Sequence, residues 1–324
     1  MHSIVILGAG NIGSRHLQGL SDLKSSADIH IIDPQEKSRS LSKKRWNAVD
    51  CDIHNISYHK SIKSVDVDGV SVGIIATPAS VRKHVFEDFI SHCNVESVIF
   101  EKFLFQSEED YFEVQTLLEN NDIDAWVNCL RRDYDLYQDI KKSLSGERIE
   151  MSVTGTQWGM GCNAIHYADL FGWLTESKKL HWDNHLLEQR LLEAKRDGFV
   201  EFVGSLIAND TDGNSLTLTC FEGQPSYATV RISTPSQQWI IDPSMEEMTH
   251  IMNRQTEWVS ERTDVEIPYV SEMTGEIVTK IIQDNECNLP TYTESKGYHL
   301  PLLRTLIHHI EKVQHEEIEK CPIT

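Results

Sequence analysis

No stretch of the 324-residue chain approaches the roughly 18 continuous apolar residues that a membrane-spanning helix needs. Nor does the start of the chain show a basic segment, an apolar run and a cleavage site; a strand-like run, Ile4-Val5-Ile6-Leu7, begins almost at once. These absences set the expectation of a cytoplasmic protein with no membrane partner. Cysteine is scattered singly at 51, 93, 129, 162, 220, 287 and 321, odd in number, with no Cys-x-x-Cys and no zinc-like spacing. That pattern argues against a disulfide framework or a structural metal and suits a reducing compartment. Positive charge is also short: 30 Lys and Arg against 50 Asp and Glu leave a net charge of −20. Sequence-independent binding to nucleic acid or anionic membrane is therefore disfavoured. An anionic small ligand would have to be received by backbone amides and a few local cations.

The strongest positive signal lies in residues 3–33. Ile4 to Leu7 read as a strand, Gly8-Ala9-Gly10-Asn11-Ile12-Gly13 as a glycine loop, Ser14 to Leu23 as a helix, and Ile29 to Ile32 as a second strand ending in Asp33. Gly8 permits a tight turn, Gly10 lets a pyrophosphate approach the backbone, and Gly13 lets helix and strand pack closely. The helix start offers unpaired N–H groups and a positive dipole to phosphate. Asp33, twenty residues after Gly13, is placed to accept from the adenosine ribose hydroxyls and to repel a 2′-phosphate. NAD is the expected cofactor. Lys37 and Arg39 stand near enough to keep NADP as the second option.

Strand and helix then alternate, as a parallel sheet requires. Val70 to Ala76 is a strand ended by Thr77-Pro78, and a helix follows from about Ser80 to Ile90. Ser97 to Phe100 is the next strand, and Glu101-Lys102 at its carboxyl end points toward the crevice where such sheets bind ligands. A helix from about Glu108 to Glu119 leads to a strand from Ala125 to Leu130. Arg131-Arg132 follow it, readable either as surface charges or as anion ligands. A helix from Tyr134 to Leu144 is expected, capped by Gly146.

Beyond it the texture changes. A strand near Ile149 to Gln157 leads into residues 159–174, where Asn163 reads as an N-cap and the following helix is apolar nearly all round. Only His166 and Asp169 on that helix carry charge near neutral pH, and their three-residue spacing puts them on one face. They are either a buried histidine held by its own helix or an acid–base pair. Residues 200–208, 216–220 and 228–232 alternate with period two, arguing a largely antiparallel sheet covered on one face, with a hairpin loop at 209–214. Helices at about Met273 to Gln283, Tyr292 to Tyr298 and Leu302 to Ile318 end the chain, with Pro301 suited to a first turn and His308, His309 and His315 read as surface groups. The fold class is α/β: a Rossmann doubly wound parallel sheet over residues 1–125, then an α+β substrate and oligomerisation domain, 126–324, on an open-faced sheet.

Taken together, Gly8 to His16, Ala76-Thr77-Pro78, Glu101-Lys102 and His166-Tyr167-Ala168-Asp169 resemble the glucose–fructose oxidoreductase / inositol dehydrogenase (Gfo/Idh/MocA) family over nearly the whole chain. The resemblance implies an NAD(P)-dependent oxidoreductase acting on a sugar, cyclitol or related polyol, and a homodimer or higher homo-oligomer formed through the outer face of the second sheet. Carried over residue by residue, it implies that Gly8, Gly10, Asn11, Ile12, Gly13, Asp33, Ala76, Thr77, Pro78, Glu101 and Lys102 line the cofactor. Lys102, His166 and Asp169 take the catalytic roles. His166, read as lying in the first helical turn, is kept neutral by the dipole and moves the proton; Lys102 polarises the substrate oxygen; Asp169 either orients the ring or caps a neighbouring element.

Asn128, Arg131, Arg132, Cys162 and Asn163 join Lys102 and His166 as substrate contacts, and Trp158 and Tyr167 are either a sugar-stacking surface or core. Two positions depart from the family: Phe103 stands where Pro usually follows the Glu-Lys pair, and Cys162 stands where Asp often precedes the histidine by four residues. The Gly-Cys-Asn lead-in resembles a subgroup associated with bacterial cell-surface sugar biosynthesis. The rival expectations are a non-redox sugar enzyme that uses NAD transiently, and a non-catalytic NAD-binding regulator.

Overall fold

The computed structural model describes residues 1–67, 69–254 and 257–324. They form two compact units, Met1–Asn128 with Pro268–Thr293, and Cys129–Ile267 with Glu294–Thr324. The return of 268–293 to the first unit is an excursion that a single boundary at 125 does not describe.

The first unit is a six-stranded parallel sheet of β1 (His2–Leu7), β2 (Ala27–Ile32), β3 (Asn55–His59), β4 (Gly69–Ile75), β5 (Asn94–Phe100) and β6 (Asp124–Val127), in the order β3-β2-β1-β4-β5-β6. This is the doubly wound order, with its switch point between β1 and β4. Ile4, Val5, Ile6, Val72, Ile74 and Val98 are fully buried because helices cover both sheet faces, so the central strands read as continuous apolar runs. The edge strand β3, Asn-Ile-Ser-Tyr-His, is half exposed, and its mixed composition gave no strand signal. The connecting helices are α1 (Asn11–Gly19), α2 (Glu36–Trp46), α3 (Ala79–His92) and α4 (Glu108–Asn120). Helix α1 ends sooner than its apolar spacing predicts, and a 3-10 turn, Leu20–Asp22, completes it.

After the second unit begins come a 3-10 turn at Leu130–Asp133, α5 (Asp135–Ser143), β7 (Glu150–Thr156) and α6 (Met160–Thr175). Helix α5 ends on Leu144 in an extended conformation, so Gly146, though left-handed, is not its cap residue. Seven more strands join β7 in the second sheet: β8 (His181–Leu187), β11 (Gly204–Asn209), β12 (Ser215–Phe221), β13 (Thr229–Ser233), β14 (Gln237–Asp242), β15 (Glu247–Arg254) and β16 (Glu257–Asp264). Their order is β16-β15-β14-β13-β7-β12-β11-β8; among the described residues only β7 and β12 of this sheet pair in parallel. The short β9 (Leu192–Glu193) and β10 (Val200–Glu201) pair separately, so the run 200–208 is split rather than one strand. Leu216, Leu218, Val230, Ile232 and Ile241 fill the covered face, while their neighbours in sequence are half or fully exposed.

Helix α7 (Val270–Asp284) belongs to the first unit and packs on α1. A Cβ on Gly275 would lie 2.5 Å from the Gly19 carbonyl oxygen, so this pair of glycines sets the close approach. Helix α8 (Tyr292–Gln314) is continuous, with Pro301 inside it rather than in a first turn. Proline forfeits one backbone bond there, and buried Tyr298, Leu302, Leu303, Leu306 and Ile310 carry the helix across it. His309 is buried, not a surface group, and pairs through Nε2 with the Glu188 carbonyl at 3.1 Å. No helix among the described residues is long and apolar enough to cross a membrane.

Candidate active site

In the first unit the sequence-identified residues follow the carboxyl ends of β1, β2, β4, β5 and β6. Gly8, just past β1, has φ +98°, where any side chain would be strained, and a Cβ on Gly13 would lie 1.7 Å from its carbonyl oxygen. Gly10 differs from both: nothing lies within 4 Å of where its Cβ would be. Gly10 is also the N-cap of α1 and supplies no side-chain bond to the helix start. Ala9 N donates to Asp33 Oδ2 at 2.9 Å, and Gln35 N to Oδ1 at 2.8 Å, so the carboxylate is fixed beside the glycine loop.

The segment after β4 contributes Ala76-Thr77-Pro78. Ala76 N bonds the Leu7 carbonyl at 2.8 Å, and Thr77 Oγ1 is a buried hydroxyl with no hydrogen-bond partner among the described residues. An open cradle at Gly10, an uncapped helix start, a fixed acid and an orphaned hydroxyl fit a dinucleotide laid across the strand ends. Arg39, one of the residues that kept NADP open, is buried and bonded to the Asp33 carbonyl and to Glu36. It is committed to the fold, which leaves Asp33 to choose the cofactor and favours NAD. Asn11 and Ile12 open α1, where Arg45 of α2 donates to the Asn11 carbonyl and to Ser14 Oγ, both at 2.6 Å.

Glu101 is sealed at the end of β5. Its Oε1 accepts from Asn128 Nδ2 and stands 2.9 Å from His16 Nε2. The other ring nitrogen, Nδ1, is 2.9 Å from Thr274 Oγ1, whose own hydroxyl donates to the Val270 carbonyl. Thr274 Oγ1, already donating to Val270, is placed to accept from His16 Nδ1. Burial pushes the Glu101 carboxyl up, but His16, Lys102 and Asn128 outweigh it and hold it below the usual carboxylate range. Asn128 was expected at the substrate; it is buried and serves Glu101 instead. Lys102 follows Glu101, and the Lys102–Phe103 peptide is cis. Arg82 of α3, buried, donates to the carbonyls of Thr77, Phe103 and Leu104, tying together the loops after β4 and β5. His16 stood in the sequence motif without a role; Arg82 and Thr274 gave no signal, because their partners are distant in the chain.

In the second unit α6 begins earlier than its sequence suggested. Its N-cap is Gly159 in a left-handed conformation, not Asn163, whose Nδ2 turns back to the Trp158 carbonyl at 2.9 Å. Glu201 of β10 accepts from Gly161 N at 2.7 Å and supplies the cap carboxylate. The Cys162 thiol points to the Gly159 carbonyl at 3.4 Å. His166 consequently lies in the second turn, half-buried, and the argument that the first-turn dipole keeps it neutral does not apply.

Asp169 is fully buried and does not turn to His166. Arg132 grips it with Nε to Oδ2 at 3.0 Å and Nη2 to Oδ1 at 2.5 Å, and reaches Glu294 through Nη1 at 3.0 Å. Burial pushes the Asp169 carboxyl up to about 7, with Glu294 adding repulsion and Arg132 offsetting only part. Arg132, expected among substrate contacts, is thus a core ion-pair partner. Arg131 is different: it is half-buried, with its guanidinium 4.3 Å from the centroid of the Tyr167 ring. Tyr167 in turn meets Trp158 edge to face, so both aromatics are core rather than an open platform. No group of three or more His, Cys, Asp or Glu among the described residues is arranged for a metal ion.

A family model described as "Oxidoreductase family, NAD-binding Rossmann fold" (Gfo/Idh/MocA) matches residues 2–129. A search of curated proteins found no match. Among solved structures the chain is similar to UDP-N-acetylglucosamine 3-dehydrogenase GnnA from Acidithiobacillus ferrooxidans, with a TM-score of 0.70 at 13% identity, covering 94% of this chain and 97% of that one. An oxidoreductase from Agrobacterium radiobacter, in complex with NAD+, L-tartaric acid and magnesium, gives 0.70 at 13% identity over 93% and 94%. A super-repressor mutant of Gal80p from Saccharomyces cerevisiae gives 0.71 at 11% identity over 98% and 96%. At such identities the likeness is one of fold. The glycine loop, the strand order and the match over residues 2–129 agree: this part of the chain is the NAD-binding Rossmann fold of the Gfo/Idh/MocA oxidoreductase family.

Proposed function

We propose that the protein is an NAD-dependent oxidoreductase acting on a carbinol carbon of a sugar or sugar derivative. The observation that carries this reading is the open Gly10 cradle flanked by the fixed Asp33, with Lys102 following the buried Glu101 at the end of β5. When bound, NAD supplies the hydride acceptor for the carbinol carbon, or the donor in reverse. Gly10 and the uncapped start of α1 receive the pyrophosphate, Asp33 the adenosine ribose, and Thr77 adds a hydroxyl along the cofactor.

Lys102 donates a hydrogen bond to the substrate oxygen and stabilises negative charge as the O–H bond breaks. His166 takes that proton on oxidation and returns it on reduction. Asp169 is assigned a supporting role: with Arg132 it anchors the helix one turn beyond His166. The departure at Cys162 keeps a non-catalytic regulator as the second reading, since the thiol is turned to its own helix.

The test is a screen of free, acidic and nucleotide-linked sugars with NAD, followed by NADH fluorescence. Turnover that falls by roughly 100-fold or more in Lys102→Met and in His166→Ala is the expected result. NAD binding without turnover on any sugar would instead favour the regulator.

A further inference from the structure

Arg131 and Arg132 are adjacent in sequence, yet the second unit uses them in opposite ways. Arg132 has two carboxylates, Asp169 and Glu294. Arg131 has none: among the described residues no Asp or Glu oxygen lies within 4.0 Å of its guanidinium, and the groups that act on it are Tyr134, Tyr137 and Tyr167. Asp169 is the acid whose charge feels Arg131, but both its oxygens are bonded to Arg132. A cation over an aromatic ring gains about 0.5–2 kcal/mol, less than a desolvated guanidinium needs to replace its lost water. Tyr167 also engages the guanidinium by a side-chain hydrogen bond, and the remaining donors of its planar fork match a carboxylate or phosphate. Tyr167, under the guanidinium, is the residue next to His166 on α6, and the 3-10 turn carrying Arg131 packs on that helix.

We infer that Arg131 is the specificity residue for an anionic substituent of the substrate, a carboxylate or a phosphate, received alongside the helix that bears His166. This rests on the proposed sugar oxidoreductase and narrows its substrates to acidic or phosphorylated sugars. In an acidic chain, one cation without a carboxylate is enough to discriminate, because a neutral sugar leaves it half-desolvated and an anionic one completes it.

Binding rather than turnover tests this, so the two readings fail separately. The NAD-loaded protein is titrated calorimetrically with D-glucose, D-glucuronate, D-glucose 6-phosphate and UDP-glucose. At least one anionic sugar should bind about tenfold or more tightly than glucose, and which one does identifies carboxylate or phosphate as the source. Arg131→Met should remove that preference while leaving glucose and NAD affinities within about twofold, and Arg131→Lys should restore part of it.

Equal affinity for neutral and anionic sugars in the wild type, or equal weakening of both in Arg131→Met, would overturn the inference. Arg131-dependent anion binding without turnover would leave it standing and sink the oxidoreductase reading instead.

Discussion

Glu101 in the first unit and Asp169 in the second are both carboxylates sealed from water, and they respond in opposite directions. Burial pushes each one up. At Glu101 the His16 ring, the neighbouring Lys102 and the Asn128 amide outweigh it, and the group sits below its ordinary value. At Asp169 a single arginine makes two good hydrogen bonds, but Glu294 shares that arginine and repels, and the group sits at about 7. The lesson is that one bidentate partner does not by itself fix a buried charge; the number of donors and the sign of the second neighbour decide.

The largest expected effect breaks the second of these arrangements. Arg132→Met strands Asp169 without its partner and should cost about 3–5 kcal/mol in urea unfolding, whereas Arg132→Met with Asp169→Leu should recover most of that. In the first unit His16→Leu leaves Glu101 with only the Asn128 amide and the charge of Lys102. A loss of similar size, about 3 kcal/mol, is expected, together with weaker NAD binding because the backbone at Lys102 loses its anchor.

A smaller effect separates two glycines three residues apart. Gly13→Ala forces a backbone contact and should lower stability by about 1–3 kcal/mol. Gly10→Ala should change stability by no more than about 1 kcal/mol while weakening NAD binding, since its Cβ enters only the open cradle. Equal losses of stability in the two would remove the reason for reading Gly10 as the pyrophosphate contact.

The smallest effect is a pair of opposite pH slopes. Glu101 has a folded value below its ordinary 4.5, so its stabilisation is present above that value and lost as the pH falls through the folded value. The cost of Glu101→Gln should shrink in acid. Asp169 has a folded value of about 7 against an ordinary 3.8, so the folded state holds its proton more tightly. Its contribution is present below 3.8 and lost as the pH rises to about 7, and the cost of Asp169→Asn should shrink between about pH 4 and 7. Slopes of the same sign would contradict the comparison.

The first unit was the more legible of the two. Its central strands are apolar because both faces are covered, and its glycines sit where backbone contact demands them, so local sequence carries the message. The half-exposed β3 and the α7 excursion carried no such pattern: the one mixes polar and apolar residues, the other depends on Gly275 meeting Gly19 across 256 positions of chain. In the second unit, period-two alternation showed the sheet but not its order, since β7 and β12 pair in parallel across a long crossover. The His166–Asp169 spacing placed both on one helix face correctly, but the true partner of Asp169 is Arg132, 37 residues earlier. Sequence left the two adjacent arginines equivalent; their surroundings tell them apart, carboxylates around Arg132 and the Tyr167 ring under Arg131.

The most direct measurement pairs two readouts on His166→Ala: NAD affinity by fluorescence titration and turnover on the best sugar of the panel. NAD affinity within about twofold of wild type, with turnover down roughly 100-fold or more, is the predicted result, because the cofactor cradle belongs to the first unit and the proposed proton transfer to His166 on α6. Turnover retained at the wild-type level would contradict it.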